Sequence, residues 1–143
     1  KEAHVFVGIQ IVDRNESTKL VNSLHKHGYP TLDLTDDEMA KNHIRHMVGG
    51  HAPQVCEQGM SELLYRFEFP ERPGALMNFL TRMSAGWNIS VFHYRNHGAD
   101  YGRVLVGMQV PPGEMGQFRE FLKNLGYAHW DESGNPAYKL FLG

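Results

Sequence analysis

The sequence predicts an α+β protein built on a βαββαβ unit, an antiparallel sheet with both helices on one face. Three observations carry that expectation. Tyr65, Phe67 and Phe69 alternate with Arg66 and Glu68, the pattern of a half-buried strand. Pro70-Glu71-Arg72-Pro73-Gly74 breaks the alternation, and Leu76, Phe79, Leu80 and Met83 follow at helical spacing. After Gly86 come two runs of strand composition, 89–95 and 103–110, separated by Asn96-His97-Gly98. Residues from Glu114 onward supply the remaining helix and strand.

Taken in order, residues 4–12 are nearly continuous in Val, Ile and Phe, which predicts a central strand. Asn15 is the expected N-cap of a helix with Glu16 in its first turn. Ser17, Leu20, Val21 and Leu24 form its apolar stripe, and Gly28 is the expected C' residue. Residues 29–34 read as a short strand. Thr35 and Glu38 form a capping box for a second helix with Met39, His43, Ile44 and Met47 on its apolar side, closed by Gly49-Gly50. A Pro- and Gly-containing linker leads into the unit described above. That unit finishes with a helix over 114–125, a strand over 127–131, a turn at Ser133-Gly134-Asn135-Pro136 and a terminal strand over 137–142. Along 89–94, Ile89, Val91 and His93 are expected opposite Ser90, Phe92 and Tyr94. Both sides are partly apolar, so a second layer is expected over the sheet.

Arg103-Val104-Leu105-Val106-Gly107-Met108-Gln109-Val110 matches His4-Val5-Phe6-Val7-Gly8-Ile9-Gln10-Ile11 almost position for position. Gly126-Tyr127 mirrors Gly28-Tyr29, and Asp131 mirrors Asp33. The match spans strand, helix and strand, which indicates an internal duplication. The second copy has a strand, helix and strand before the match begins, and the first has none. The expected organisation is a partial first unit over 1–50, a linker over 51–60 and a complete second unit over 61–143.

Composition narrows the function. In 143 residues the formal charge is -2, which gives no reason to expect a nucleic-acid partner. No apolar run approaches the roughly 20 residues of a membrane span, and no targeting segment is expected at Lys1-Glu2. One cysteine, Cys56, excludes an internal disulfide framework and suits a reducing compartment. His43 and His46 share a helix face, but no third metal ligand stands at a recognisable spacing; His25 and His27 do not share a face. Cys56 has no evident general base, and no set of side chains makes a nucleophile–base–acid arrangement. Catalysis by this chain alone is therefore not expected. The Pro70-x-x-Pro73-Gly74 turn is either a tight strand-to-helix connection or a place where backbone amides hold a carboxylate. Tyr94 reads either as part of an interface or as a pocket wall.

The strings Phe67-Glu68-Phe69-Pro70-Glu71-Arg72-Pro73-Gly74-Ala75-Leu76, Trp87-Asn88-Ile89-Ser90-Val91-Phe92-His93-Tyr94-Arg95 and Gly98-Ala99-Asp100-Tyr101-Gly102-Arg103-Val104-Leu105 resemble the C-terminal regulatory region of biosynthetic threonine dehydratase. So do Leu32-Asp33-Leu34-Thr35-Asp36-Asp37-Glu38-Met39-Ala40-Lys41, Met47-Val48-Gly49-Gly50 and Asn135-Pro136-Ala137. The resemblance implies two ACT-like, ferredoxin-like subdomains, the first incomplete at its start. It implies a parent enzyme that is a cytoplasmic, tetrameric, pyridoxal 5'-phosphate-dependent lyase converting L-threonine to 2-oxobutanoate and ammonia for isoleucine synthesis. Isoleucine would act as feedback inhibitor and valine as opposing effector. The cofactor would reside in a separate catalytic domain, the regulatory region's partner. By resemblance the effector residues are Leu76, Leu80, Met83 and Tyr94, with Met83 standing where the family usually presents leucine. The contrasting readings are an assembly module that senses nothing and an ACT-like regulator of another enzyme of amino-acid metabolism.

Overall fold

Ten-residue strand β1, Ser61–Pro70, is the spine of the molecule, paired antiparallel to β3 (Tyr101–Val110) on one side and β4 (His129–Asp131) on the other. Strand β2 (Asn88–Arg95) completes the sheet in the order β2-β3-β1-β4. The computed structural model describes residues 4–46, 61–96, 98 and 100–142. Helix α3 (Ala75–Arg82) joins β1 to β2 and helix α4 (Met115–Leu125) joins β3 to β4, so the βαββαβ expectation holds element by element. Pro70 closes β1, and Gly74 at the N-cap of α3 has φ +88°, a conformation that favours glycine.

The helices seal one face of the sheet. Phe67 is fully buried and meets Phe79 of α3 edge-on at 5.3 Å between ring centroids, while Trp87 meets Phe118 of α4 at 5.5 Å. Phe121 is buried beside Phe118, Leu122 and Leu125, with half-buried Met115 packed against the same cluster. Tyr127 ties the end of α4 to the start of α3: its hydroxyl donates to the Ala75 carbonyl at 3.0 Å and accepts from Asn78 Nδ2 at 3.1 Å.

The opposite face is covered as well, by this chain's own segments. Leu64 and Leu105 are fully buried beneath Met39 and Ala40 of α2 (Glu38–Asn42), Ile44 of the following 3₁₀ turn, and Ala137 and Tyr138 of α5 (Pro136–Phe141). Residues 137–142 were expected to be a strand; they form this helix instead. Asn135 caps it by accepting from the Ala137 N–H at 2.8 Å, and Pro136 occupies the first turn, where its missing N–H costs nothing. Glu62 secures the packing by accepting from both Ser90 and Tyr138.

The expected facing of β2 is corrected by a bulge between Ile89 and Val91. Ile89 packs into the helix-covered core, whereas Val91 packs into the outer cluster. Phe92 and Tyr94 pair with Val106 and Val104 and so face the helices, while His93 pairs with Leu105 and faces outward. Gly107 accommodates the bulge: a Cβ there would lie 2.6 Å from Ser90 Oγ and 3.2 Å from the Val91 backbone nitrogen. Gly107→Ala is expected to destabilise the protein by about 1–3 kcal/mol through overpacking, read as a lower urea midpoint; an unchanged midpoint would mean that the bulge relaxes freely.

The first part of the chain departs further from expectation. Residues 4–12 form no strand; Val5, Val7 and Ile9 are exposed, and Phe6 rests on Phe141 of α5 at 5.8 Å. Among the described residues they have no ladder partner, and strand composition without one leaves backbone groups to water. Residues 29–34 also form no strand. There the Asp33 carboxylate accepts from the Thr35 backbone N–H and hydroxyl and from Ser17 Oγ, a local network that competes with sheet pairing.

Helix α1 (Arg14–Lys26) is present with Ser17, Leu20, Val21 and Leu24 half-buried, but its N-cap is Asp13, which accepts from the Glu16 N–H at 2.9 Å. Asn15 lies inside the helix. Likewise Asp37, not Thr35, caps α2 by accepting from the Ala40 N–H at 2.8 Å. Thr35 is held by Asp33 instead. Of the internal repeat, the helix and its ending are visible: Gly28 and Gly126 both take positive φ, 81° and 68°, each just past its helix. The flanking strands are not. Met47, Gly49-Gly50 and the linker 51–60, with His51 and Cys56, lie outside the described residues.

Candidate functional site

Helix α3 divides its apolar residues between two tasks. Ala75 and Phe79 turn into the core, while Leu76 and Leu80 remain 46% and 41% exposed. Leu76 and Leu80 stand one helical turn apart on the outward side, while Met83, expected on the same stripe, is the extended C-cap residue just past the helix and packs half-buried against the core. Large apolar groups left on a helix surface without a covering layer mark a contact surface more than a packing defect.

At the end of that stripe is an open cavity of about 490 Å³, lined by Leu80, Met83, Ser84, Ala85, Trp87, Asn88 and Ile89. No lining residue is charged. The wall is rigid where it meets the core: Trp87 is buried, and its indole Nε1–H donates to Glu114 Oε2 at 2.7 Å. Ile89 owes its place in the lining to the β2 bulge. Ser84 and Asn88 supply the polar groups, and Asn88 Nδ2 donates to Gln109 Oε1 at 3.0 Å.

The structure thus brings Leu80 and Met83 together with Trp87 and Ile89, which the sequence reading did not single out. The available signal was Gly86-Trp87, an aromatic placed directly after the glycine of the turn that leads into β2. Leu76 belongs to the same helix stripe but not to the cavity lining. Tyr94 sits toward the hairpin end of β2 and does not line the cavity.

Tyr94 has its own cluster. Its hydroxyl donates to Glu71, and this bond, with a smaller contribution from desolvation, raises its pKa above the ordinary tyrosine value. The Glu71 backbone N–H donates to the Asp100 carbonyl at 2.9 Å. Gly102 makes room for the ring, since a Cβ there would stand 2.6 Å from the Tyr94 hydroxyl. Gly74 leaves the start of α3 without a side-chain cap. This cluster and the cavity are separated by the length of α3, about 12 Å at 1.5 Å per residue, too far for one small amino acid to touch both.

Elsewhere the histidines are occupied locally. His27 Nδ1 bonds the Ser23 carbonyl at 2.7 Å, and His25 Nε2 meets the Thr31 backbone at 3.1 Å. Among the described residues no group of three or more His, Cys, Asp or Glu is placed to hold a metal ion, and no helix is long and apolar enough to cross a membrane. Arg95 and Arg103 do face each other across the β2–β3 hairpin.

Residues 56–142 match the family described as the C-terminal regulatory domain of threonine dehydratase. The chain is 55% identical over 142 residues to a biosynthetic L-threonine dehydratase of Burkholderia multivorans, covering 99% of this chain and 27% of that protein. With the Escherichia coli biosynthetic enzyme it shares 47% over 143 residues, again 27% of that protein. With the chloroplastic biosynthetic enzyme of Arabidopsis thaliana it shares 39% over 142 residues, 23% of that protein. The chain thus spans about a quarter of the length of these relatives.

Proposed function

Since the chain belongs to the family of C-terminal regulatory domains of threonine dehydratase, we propose that it senses a branched-chain amino acid on behalf of a threonine ammonia-lyase. The reaction so controlled is the conversion of L-threonine to 2-oxobutanoate and ammonia, with isoleucine as inhibitor and valine as opposing effector. The observation that carries this reading is the uncharged cavity at the end of the Leu76–Leu80–Met83 stripe. The effector's apolar side chain would lie against Leu80, Met83 and Ile89, and its polar head toward Ser84 and Asn88. Leu76 and Tyr94, toward the other end of α3, would meet a docked second surface and not the same amino acid.

The cavity is open on one side, so an effector there would be enclosed only by a second surface: another subdomain, the catalytic domain or a second subunit. Ligand and second surface then stabilise each other, which is what allosteric coupling requires. Isoleucine and valine differ by one methylene, about 0.8 kcal/mol, so opposite effects must come from different docked states and not from affinity alone. The partition into a partial unit over 1–50, a linker over 51–60 and a complete unit over 61–143 belongs to the same reading.

Pyridoxal 5'-phosphate does not fit the described residues. Lys19, Lys26, Lys41, Lys123 and Lys139 are all exposed, whereas a lysine that holds this cofactor covalently needs an enclosed site. The cofactor's carbanion-stabilising chemistry would belong to the part of the relatives that this chain does not span.

The test is titration calorimetry of the parent dehydratase with L-isoleucine. Leu80→Ala is expected to weaken binding about tenfold, the loss of part of a leucine's burial, and to leave uninhibited activity unchanged. Wild-type affinity in that variant would remove Leu80 from the site.

A further inference from the structure

His43 and His93 meet on the outer face of the sheet, away from the cavity, with their Nδ1 atoms 2.8 Å apart and their rings edge-on at 5.1 Å between centroids. His43 is fully buried and is the C-cap of α2, its backbone N–H bonded to the Met39 carbonyl at 2.9 Å. The contact therefore joins segment 38–46 to β2. A hydrogen bond between two ring nitrogens needs a proton on one and a lone pair on the other. His43 Nε2 is buried without a partner. An orphaned buried donor is costlier than an orphaned lone pair, which assigns His43 Nδ1–H as donor and His93 Nδ1 as acceptor.

A further proton on either ring works against this contact. A proton on His93 Nδ1 removes the acceptor, and one on His43 buries a charge with an unsatisfied N–H. The surroundings oppose it as well: Arg66 on β1, Arg95 on β2 and Arg103 on β3 all disfavour a positive His43. The nearby acids are engaged, Glu38 with Lys41 and Asn42, Glu132 with Arg66, and Glu62 with Ser90 and Tyr138, while Glu68 lies opposite Arg103. On the segment itself Lys41 and Arg45 point to solvent. On α5, Tyr138 stays protonated, held there by burial and by Glu62.

We propose that His43 and His93 form an acid-released latch, holding segment 38–46 on the outer face of the sheet while both rings are neutral and letting it go when either is protonated. Burial, followed by His93 and the three arginines, lowers the His43 pKa from 6.5 to about 3. The docked segment thus binds fewer protons than the released one. Docking is at full strength above pH 6.5 and weakens as pH falls toward about 3, by about tenfold per pH unit. The latch acts through a different face from the cavity and stands whether or not an amino acid binds there.

Hydrogen exchange of the intact chain, corrected for intrinsic rates, tests this between about pH 7.5 and 5.5. Protection of the amides of 39–44 is expected to fall about tenfold across that range while that of 104–108 holds, and His43→Leu is expected to flatten the response. Protection independent of pH in the unaltered chain, or the same fall in His43→Leu, would overturn the latch. If that variant does not fold, the carbon-bound ring protons of His43 are followed by NMR in the unaltered chain. A titration midpoint below about 5.5 supports the proposal, and a higher one overturns it.

Discussion

Phe67→Ala is expected to cost about 3–5 kcal/mol, a large share of the roughly 5–15 kcal/mol that holds a typical domain folded. Phe67 lies at the centre of β1, fully buried, with ring contacts to Tyr65, Phe69, Phe79 and His129. Its neighbours are held by strand pairing on both sides, since Phe67 lies opposite Val104 and His129. The backbone therefore cannot close inward on the space left by the ring, and the cavity term adds to the lost transfer energy. Urea unfolding followed by circular dichroism measures the effect as a fall in midpoint at unchanged slope. A loss below about 1 kcal/mol would mean that the helix-covered core does not hold the fold together.

Leu105→Ala is expected to cost about 2–5 kcal/mol, for a different reason. Leu105 is fully buried on the other face of the same sheet, within the cluster formed by α2, α5 and Leu64. Without that layer it would be an exposed leucine on an open sheet, and its truncation would cost almost nothing. The size of the loss thus measures whether the outer layer is part of the cooperative fold. Hydrogen exchange would add the location: protection should fall first in α2 and α5, before β1 and β3. A change within about 0.5 kcal/mol of zero would show that the layer docks loosely.

How far the fold could be read in advance varied with how local its cause was. The alternation through Tyr65–Phe69, the punctuation at Pro70–Gly74 and the stripe through Phe118, Leu122 and Leu125 each name their element, because period and turn chemistry act over a few residues. The positive-φ glycines at 28 and 126 were legible for the same reason. Cap positions slipped by two residues at both N-terminal helices, where Asp13 and Asp37 outcompete Asn15 and Thr35. Neighbouring Asp, Asn and Thr side chains can all accept the same kind of N–H, and only the path of the entering chain selects one.

The candidate site was half legible. Leu76, Leu80 and Met83 share a helix face by arithmetic alone, but that arithmetic does not distinguish a face turned to the core from one turned away. The side of α3 that reaches the core is set by Phe79 packing on Phe67, a contact between residues twelve apart in the chain. The side to which Ile89 turns depends on a bulge one residue wide, which sets it on the face opposite to Val91 and is matched by an unobtrusive Gly107 on the neighbouring strand.

Composition, period and turn residues were by themselves sufficient to establish an α+β chain and the order of the elements from Ser61 to Asp131. Tertiary structure alone decided that residues 4–12 find no ladder partner among the described residues, that 137–142 coil into a helix over the sheet, and that His43 meets His93. The physical reason is the same in each case. A strand exists only with a partner, an outer layer only with a face to cover, and a buried ring pair only where two distant segments are packed together. None of those partners is specified within the span of a local pattern.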